Sequence, residues 1–138
     1  MMERLSFAQS LSYKTTETGI TLPVFLQSPV DSVRLGAKLD TGASFCIFER
    51  KHGERLGFNI EMGIEETIAT VTGKFRAYGH NVSLTVLGIE LYTTVYFAAD
   101  ENFRRNVLGR QGWLDRVRLG LIDYEGKLFL SDYNDPNE

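Results

Sequence analysis

Among the ionisable side chains of this 138-residue sequence, one aspartate stands in surroundings suited to acid–base chemistry. Asp40 ends a short, mostly apolar approach, Ala37-Lys38-Leu39, and is followed at once by Thr41, Gly42, Ala43 and Ser44. Glycine has no side chain, so the Gly42 amide can approach the Asp40 carboxylate closely enough to hydrogen-bond it. Ala43 and Ser44 are small enough to leave room for an extended chain beside the loop. A carboxylate held in this way can take a proton from water or give one to a carbonyl oxygen. The same three residues, Asp-Thr-Gly, also make an ordinary turn in which aspartate caps its own backbone. The surrounding elements decide between the two readings.

Upstream, residues 4–14 and 20–27 are rich in Leu, Phe, Tyr, Ile, Val and Thr and flank the polar break Thr15-Thr16-Glu17-Thr18-Gly19, the pattern of a β-hairpin. Pro23 lacks an amide hydrogen, which predicts an edge or bulged position for the second run. Ser28-Pro29-Val30-Asp31-Ser32 reads as a turn, and residues 33–39 as the strand that delivers Asp40. Beyond the loop, Phe45-Cys46-Ile47-Phe48 predicts a short buried strand, and residues 49–56 a short helix stopped by Gly57. Residues 66–97 alternate with period two, as in long hairpin strands, and Val71-Thr72-Gly73-Lys74 predicts an exposed tip. After Asn106-Val107-Leu108-Gly109, the spacing of Trp113, Leu114 and Val117 predicts a helix over residues 110–116, with Trp113 in core or interface packing. Residues 119–124 and 127–130 then form a closing hairpin across Glu125-Gly126, followed by a polar tail from Asn134 to Glu138. One domain spans residues 1–138, with residues 1–19 as an N-terminal hairpin extension and 132–138 as the tail, and no repeat of 20 to 50 residues is present.

With Leu39-Asp40-Thr41-Gly42-Ala43-Ser44 and Val107-Leu108-Gly109-Arg110 both present and in order, the chain resembles the retropepsin-like aspartic peptidases, including their single-domain bacterial members. The resemblance covers residues 20–131. It implies an all-β, retropepsin-like acid protease fold, a closed barrel-like domain with one or two short helices. It implies Asp40 as the catalytic residue, with a Thr41 hydroxyl that reaches a partner loop. Thr72, Gly73 and Lys74 become the flap over bound peptide, and Val107, Leu108, Gly109 and Arg110 the structural segment near the site. Two residues depart from the retroviral pattern: Gly73 is the only glycine at the tip, and Ser44 stands where many members carry an acid that pairs with the arginine matched by Arg110.

Peptide hydrolysis by this chemistry needs two carboxylates that share a proton, held within ~3 Å so that both cannot ionise easily. The sequence has no second Asp-Thr-Gly or Asp-Ser-Gly. A symmetric homodimer in which each subunit contributes Asp40 supplies the pair. The expected activity is that of an aspartic endopeptidase acting on a peptide or protein substrate, with no metal or cofactor. The alternative is a dimeric peptide-binding or scaffold module on the same fold with little turnover.

Composition narrows the partners. A hydrophobic fraction of 43% with 24% charged residues suits a folded domain, and a net charge of −3 with basic residues dispersed apart from short clusters such as Phe103-Arg104-Arg105 argues against nucleic acid. Cys46 is the only cysteine and reads as a buried thiol; with His52 and His80 it makes no zinc or Cys-His spacing. No apolar run approaches the ~18 residues needed to span a membrane, and the N-terminus has no long apolar core of a leader, so the expected location is cytoplasmic. Asn81-Val82-Ser83 matches a glycosylation sequon but sits in a strand pattern.

Overall fold

Val, Ile, Thr, Phe and Tyr recur at alternating positions, and the computed structural model, which describes residues 1–136, resolves them into ten strands. Seven form one sheet in the order β2 (Thr21–Gln27), β3 (Ser32–Leu39), β8 (Val107–Leu108), β4 (Ile47–Phe48), β7 (Ile89–Ala98), β6 (Gly73–Val86), β5 (Ile64–Thr70). Phe25, Leu26 and Gln27 of β2 also pair with Thr85, Leu84 and Ser83 of β6, so the sheet returns on itself as a ring. Closure removes most free edges. What projects is the hairpin of β5 with the first half of β6, whose strands leave Val71 and Thr72 at the tip, as the sequence predicts.

The ring closes around the inward-facing residues. Leu22, Val24 and Leu26 alternate with exposed Thr21 and Pro23, and they meet Val82, Leu84 and Val86 of β6 and Leu91, Val95 and Phe97 of β7 in one core. Burying each such side chain contributes about 1.5–3 kcal/mol. Pro23 lies opposite Gly36 where β2 has no second neighbour, which is the edge position its missing amide requires. The predicted helix over residues 49–56 is α1 (Arg50–Arg55), and Gly57 follows it at φ +86°.

Two expectations are corrected. Residues 4–14 and 20–27 do not pair as a hairpin: β1 (Gln9–Ser12) joins β10 (Lys127–Asp132), which pairs in turn with β9 (Val117–Ile122), as a separate three-stranded sheet. The Tyr13 amide donates to Gly126 O at 2.8 Å, the Tyr13 hydroxyl to Asp123 Oδ1 at 2.7 Å, and the Ala8 amide to Ser131 Oγ at 2.7 Å. These bonds hold β1 to the closing hairpin, and the polar break at residues 15–19 is a crossover between sheets. Alternation fixes which face of a strand is buried and leaves its partner open. The second correction concerns residues 110–116, where only Leu114–Arg116 makes a turn of 3-10 helix. Gly112 has φ +93° and Trp113 φ −138°, and the preceding amides bond to another loop instead of to their own turn. Trp113 is buried in the core, as expected. Of the predicted polar tail, residues 137 and 138 lie outside the described residues. Among the described residues no helix is long and apolar enough to cross a membrane.

Candidate active site

The Asp40 loop is held between three short backbone pairings. β3 runs parallel to β8, with Lys38 opposite Val107 and Leu39 opposite Leu108, and the Asp40 amide extends the ladder by donating to Leu108 O at 3.0 Å. β4, which leaves the loop, pairs antiparallel with the same strand through Ile47 and Val107. The two residues of β8 therefore join the strand entering the loop to the strand leaving it. The next residues clasp the loop itself: the Arg110 amide donates to Ala43 O and the Gln111 amide to Ser44 O, both at 2.9 Å. Between them the backbones come so close that a Cβ on Gly109 would lie 2.2 Å from Phe45 O and 2.8 Å from Ala43 O. Only glycine fits there.

Within this frame Asp40 Oδ1 accepts the Gly42 amide at 2.9 Å, the one hydrogen bond of that carboxylate among the described residues. Asp40, Gly42, Ala43 and Ser44 open onto a cleft of about 530 Å³. Ile47 and Val107 line it from the loop side, and Ile68 and Phe75 from the β5–β6 hairpin. Phe75 packs on Phe103, ring centres 4.7 Å apart, which ties the hairpin to the segment leading into β8. Cys46 lies behind the loop, where its Sγ accepts the Gly109 amide at 3.4 Å. Burial pushes its thiol up to about 12, so it stays protonated and packs as a core side chain.

The other residues singled out by sequence take distinct places. Thr41 is exposed, and its hydroxyl makes no hydrogen bond among the described residues. Leu108 and Gly109 are buried behind the loop, whereas Arg110 is exposed, with no side-chain hydrogen bond or ion pair among the described residues. Thr72, Gly73 and Lys74 sit at the exposed hairpin tip; the part of the hairpin that lines the cleft is residues 67–71 with Phe75. His52 lies against Glu49, His80 stacks on Phe58, and the described residues contain no group of three or more His, Cys, Asp or Glu able to hold a metal ion.

Sequence reasoning missed Asn106, which fixes the approach to β8. Its Oδ1 accepts the Glu49 amide at 3.0 Å, its Nδ2 donates to Glu49 Oε2 at 2.8 Å, and its carbonyl accepts the Lys38 amide at 2.9 Å. One asparagine thus joins the start of α1, the end of β3 and the start of β8. Burial pushes the Glu49 carboxyl up, but the hydrogen bond from Asn106 and the neighbouring Lys51 and His52 outweigh it and hold the group below the usual carboxylate range. Burial pushes the His52 imidazole down against the pull of Glu49. Phe103 and Arg105, which also line the cleft, stand out in the sequence only as part of a short basic cluster, because neither belongs to a periodic run.

No sequence-family model and no curated protein matches the chain. Solved structures do. The chain is similar to the EIAV protease complexed with the inhibitor HBY-793, at 23% identity and a TM-score of 0.54, over 71% of this chain and 88% of that one. It is similar to a retropepsin-like aspartic protease from Rickettsia conorii at 20% identity and a TM-score of 0.66, over 90% of this chain and 99% of that one. The fold is retropepsin-like and all-β, as the sequence resemblance implies.

Proposed function

We propose that the chain is an aspartic endopeptidase that works as a symmetric homodimer. The observation that carries the reading is the Asp40 loop: a carboxylate hydrogen-bonded to the Gly42 amide of its own loop, lining a cleft of about 530 Å³, on a retropepsin-like fold. In the dimer the two Asp40 carboxyls face each other across the two-fold axis and share one proton. The ionised one takes a proton from a water, which attacks the peptide carbonyl carbon, while the protonated one donates to the carbonyl oxygen. Collapse of the tetrahedral species breaks the C–N bond: the proton taken from water passes to the leaving amine, and a hydroxyl proton of the tetrahedral carbon returns to the other carboxylate, which restores the shared-proton pair. The Gly42 amide fixes the orientation of the Asp40 carboxyl. Thr41, exposed and without a side-chain hydrogen bond among the described residues, is available to the loop of the second subunit.

Ile47, Ile68, Phe75 and Val107 favour apolar side chains beside the cleaved bond. The β5–β6 hairpin, with Thr72, Gly73 and Lys74 at its tip, closes over the peptide, adds main-chain hydrogen bonds and excludes water. Asp40→Asn keeps an oxygen for the Gly42 amide and removes the acid–base function. Peptide cleavage should fall ~10³-fold or more while the thermal midpoint and the dimer are retained. Full activity in that variant sinks the assignment. Peptides that bind without being cleaved by the unaltered protein would instead favour a binding module on this fold.

A further inference from the structure

Asp40 and Arg105 line two clefts at once: the apolar one beneath the β5–β6 hairpin, and a second of about 490 Å³ bordered by Thr18, Lys38, Arg104 and Asn106. The second carries more charge. Its charged residues are Lys38, Arg104, Arg105 and Asp40, so three cations and one acid line it in a chain whose net charge is −3. Lys38 Nζ already donates to Thr18 O. The Arg104 and Arg105 side chains are exposed and make no hydrogen bond or ion pair among the described residues. Their backbone is nonetheless held on both sides. Phe103 bonds to Asp100 O through its amide and packs on Phe75, and Asn106 is fixed by Glu49 and Lys38.

We propose that Arg105, with Arg104 beside it, forms a subsite for an acidic side chain of the substrate, so that the preferred peptide carries Glu or Asp near an apolar residue at the cleaved bond. The inference rests on reading Asp40 as a peptidase centre. A guanidinium presents a planar fork of donors that matches a carboxylate with two parallel hydrogen bonds; Arg105 lines both clefts with Asp40, and Arg104 lines the second. Because Arg105 shares both clefts with Asp40, the acidic position falls among the residues flanking the cleaved bond. The two-fold symmetry of the proposed dimer repeats the subsite on both sides of that bond.

The test uses matched peptides with one apolar cleavage site and Glu, Gln or Lys at those flanking positions. The Glu peptide should exceed the Gln peptide in kcat/KM by about three- to tenfold at low salt, the ratio shrinking at about 0.5 M salt. Arg105→Glu should reverse the order in favour of Lys, and an Arg104→Gln, Arg105→Gln double variant should bring the Glu and Gln peptides level. Equal cleavage of Glu and Gln peptides by the unaltered protein, or a Glu preference that survives the double variant, overturns the subsite and leaves the peptidase reading standing. Binding of the same peptides to the Asp40→Asn protein, followed by fluorescence anisotropy, separates the two claims. A Glu preference in binding without any cleavage by the unaltered protein keeps the subsite and removes the peptidase. Absence of binding and cleavage for every peptide overturns both.

Discussion

Glu49 and Asn106 exchange two hydrogen bonds across 57 positions of sequence, and no local pattern could have announced them. Asp40 was legible because everything that conditions its carboxylate lies within two residues of it; Asn106 was not, because its partners come from α1 and β3. The pair carries a pH signature. Glu49 has its folded-state pKa held below the ordinary 4.5, so its contribution to stability is complete above that value and is lost as pH falls through the lower, folded one. Glu49→Gln removes the charge with little change of shape. At neutral pH it should cost about 1 kcal/mol, roughly 3–5 °C in thermal midpoint for a chain of this size, and the gap to the unaltered protein should close below about pH 4.5. His52 acts in a different window: with its pKa pushed below the ordinary 6.5, it disfavours the folded state as pH falls from 6.5 towards its own lowered value. Melting curves of both proteins from neutral to acid pH check the assignment, and an unchanged midpoint at neutral pH would remove Glu49 from the account.

At the level of elements, periodicity was enough for the strands and insufficient for their partners. The β5–β6 hairpin, its tip and α1 fall where alternation and glycine placement put them, since each is closed by neighbours in sequence. The first strand was recognisable, but its pairing with β10 depends on Tyr13, Ala8 and Ser131, which alternation does not report. The helix expected over 110–116 failed for a reason the sequence did contain. Gly112 interrupts the run and takes a left-handed conformation, freeing residues 110 and 111 to hold the Asp40 loop. The two-residue β8 had no periodicity to read, and its importance came only from resemblance; the structure supplies the physical ground in Gly109. A methyl group there would meet Phe45 O at 2.2 Å and Ala43 O at 2.8 Å, and both are backbone atoms of the Asp40 loop and its exit with nowhere to turn. Gly109→Ala should therefore cost about 3 kcal/mol or more and lower the thermal midpoint by roughly 10 °C, with peptide cleavage lost beyond what the remaining folded fraction explains. Calorimetry paired with a peptide assay measures both, and a variant with unaltered midpoint and rate would show that the loop does not need this close approach.

For the whole molecule, ring closure was the part least open to sequence, because it depends on Phe25, Leu26 and Gln27 meeting Thr85, Leu84 and Ser83 from the far end of the barrel wall. The need for a second chain was more accessible, since it follows from chemistry: one Asp-Thr-Gly supplies one carboxylate, and the reaction proposed here requires two. That requirement makes activity a property of the dimer and ties it to mass action. When total protein falls below the dimer dissociation constant, the rate per chain should fall in proportion to concentration, so that total rate rises with the square of protein at high dilution and linearly once dimers predominate. Mixing provides an independent check. Asp40→Asn chains folded together with an equal amount of unaltered chains leave about half of the unaltered chains in fully competent dimers, and activity per unaltered chain should drop to about half, then further as the variant is added in excess. A protomer sufficient in itself would give a rate strictly linear in concentration and indifferent to the added variant. That outcome would require a second proton-transfer group within the same chain, in a cleft where Asp40 is the only carboxylate among the lining residues.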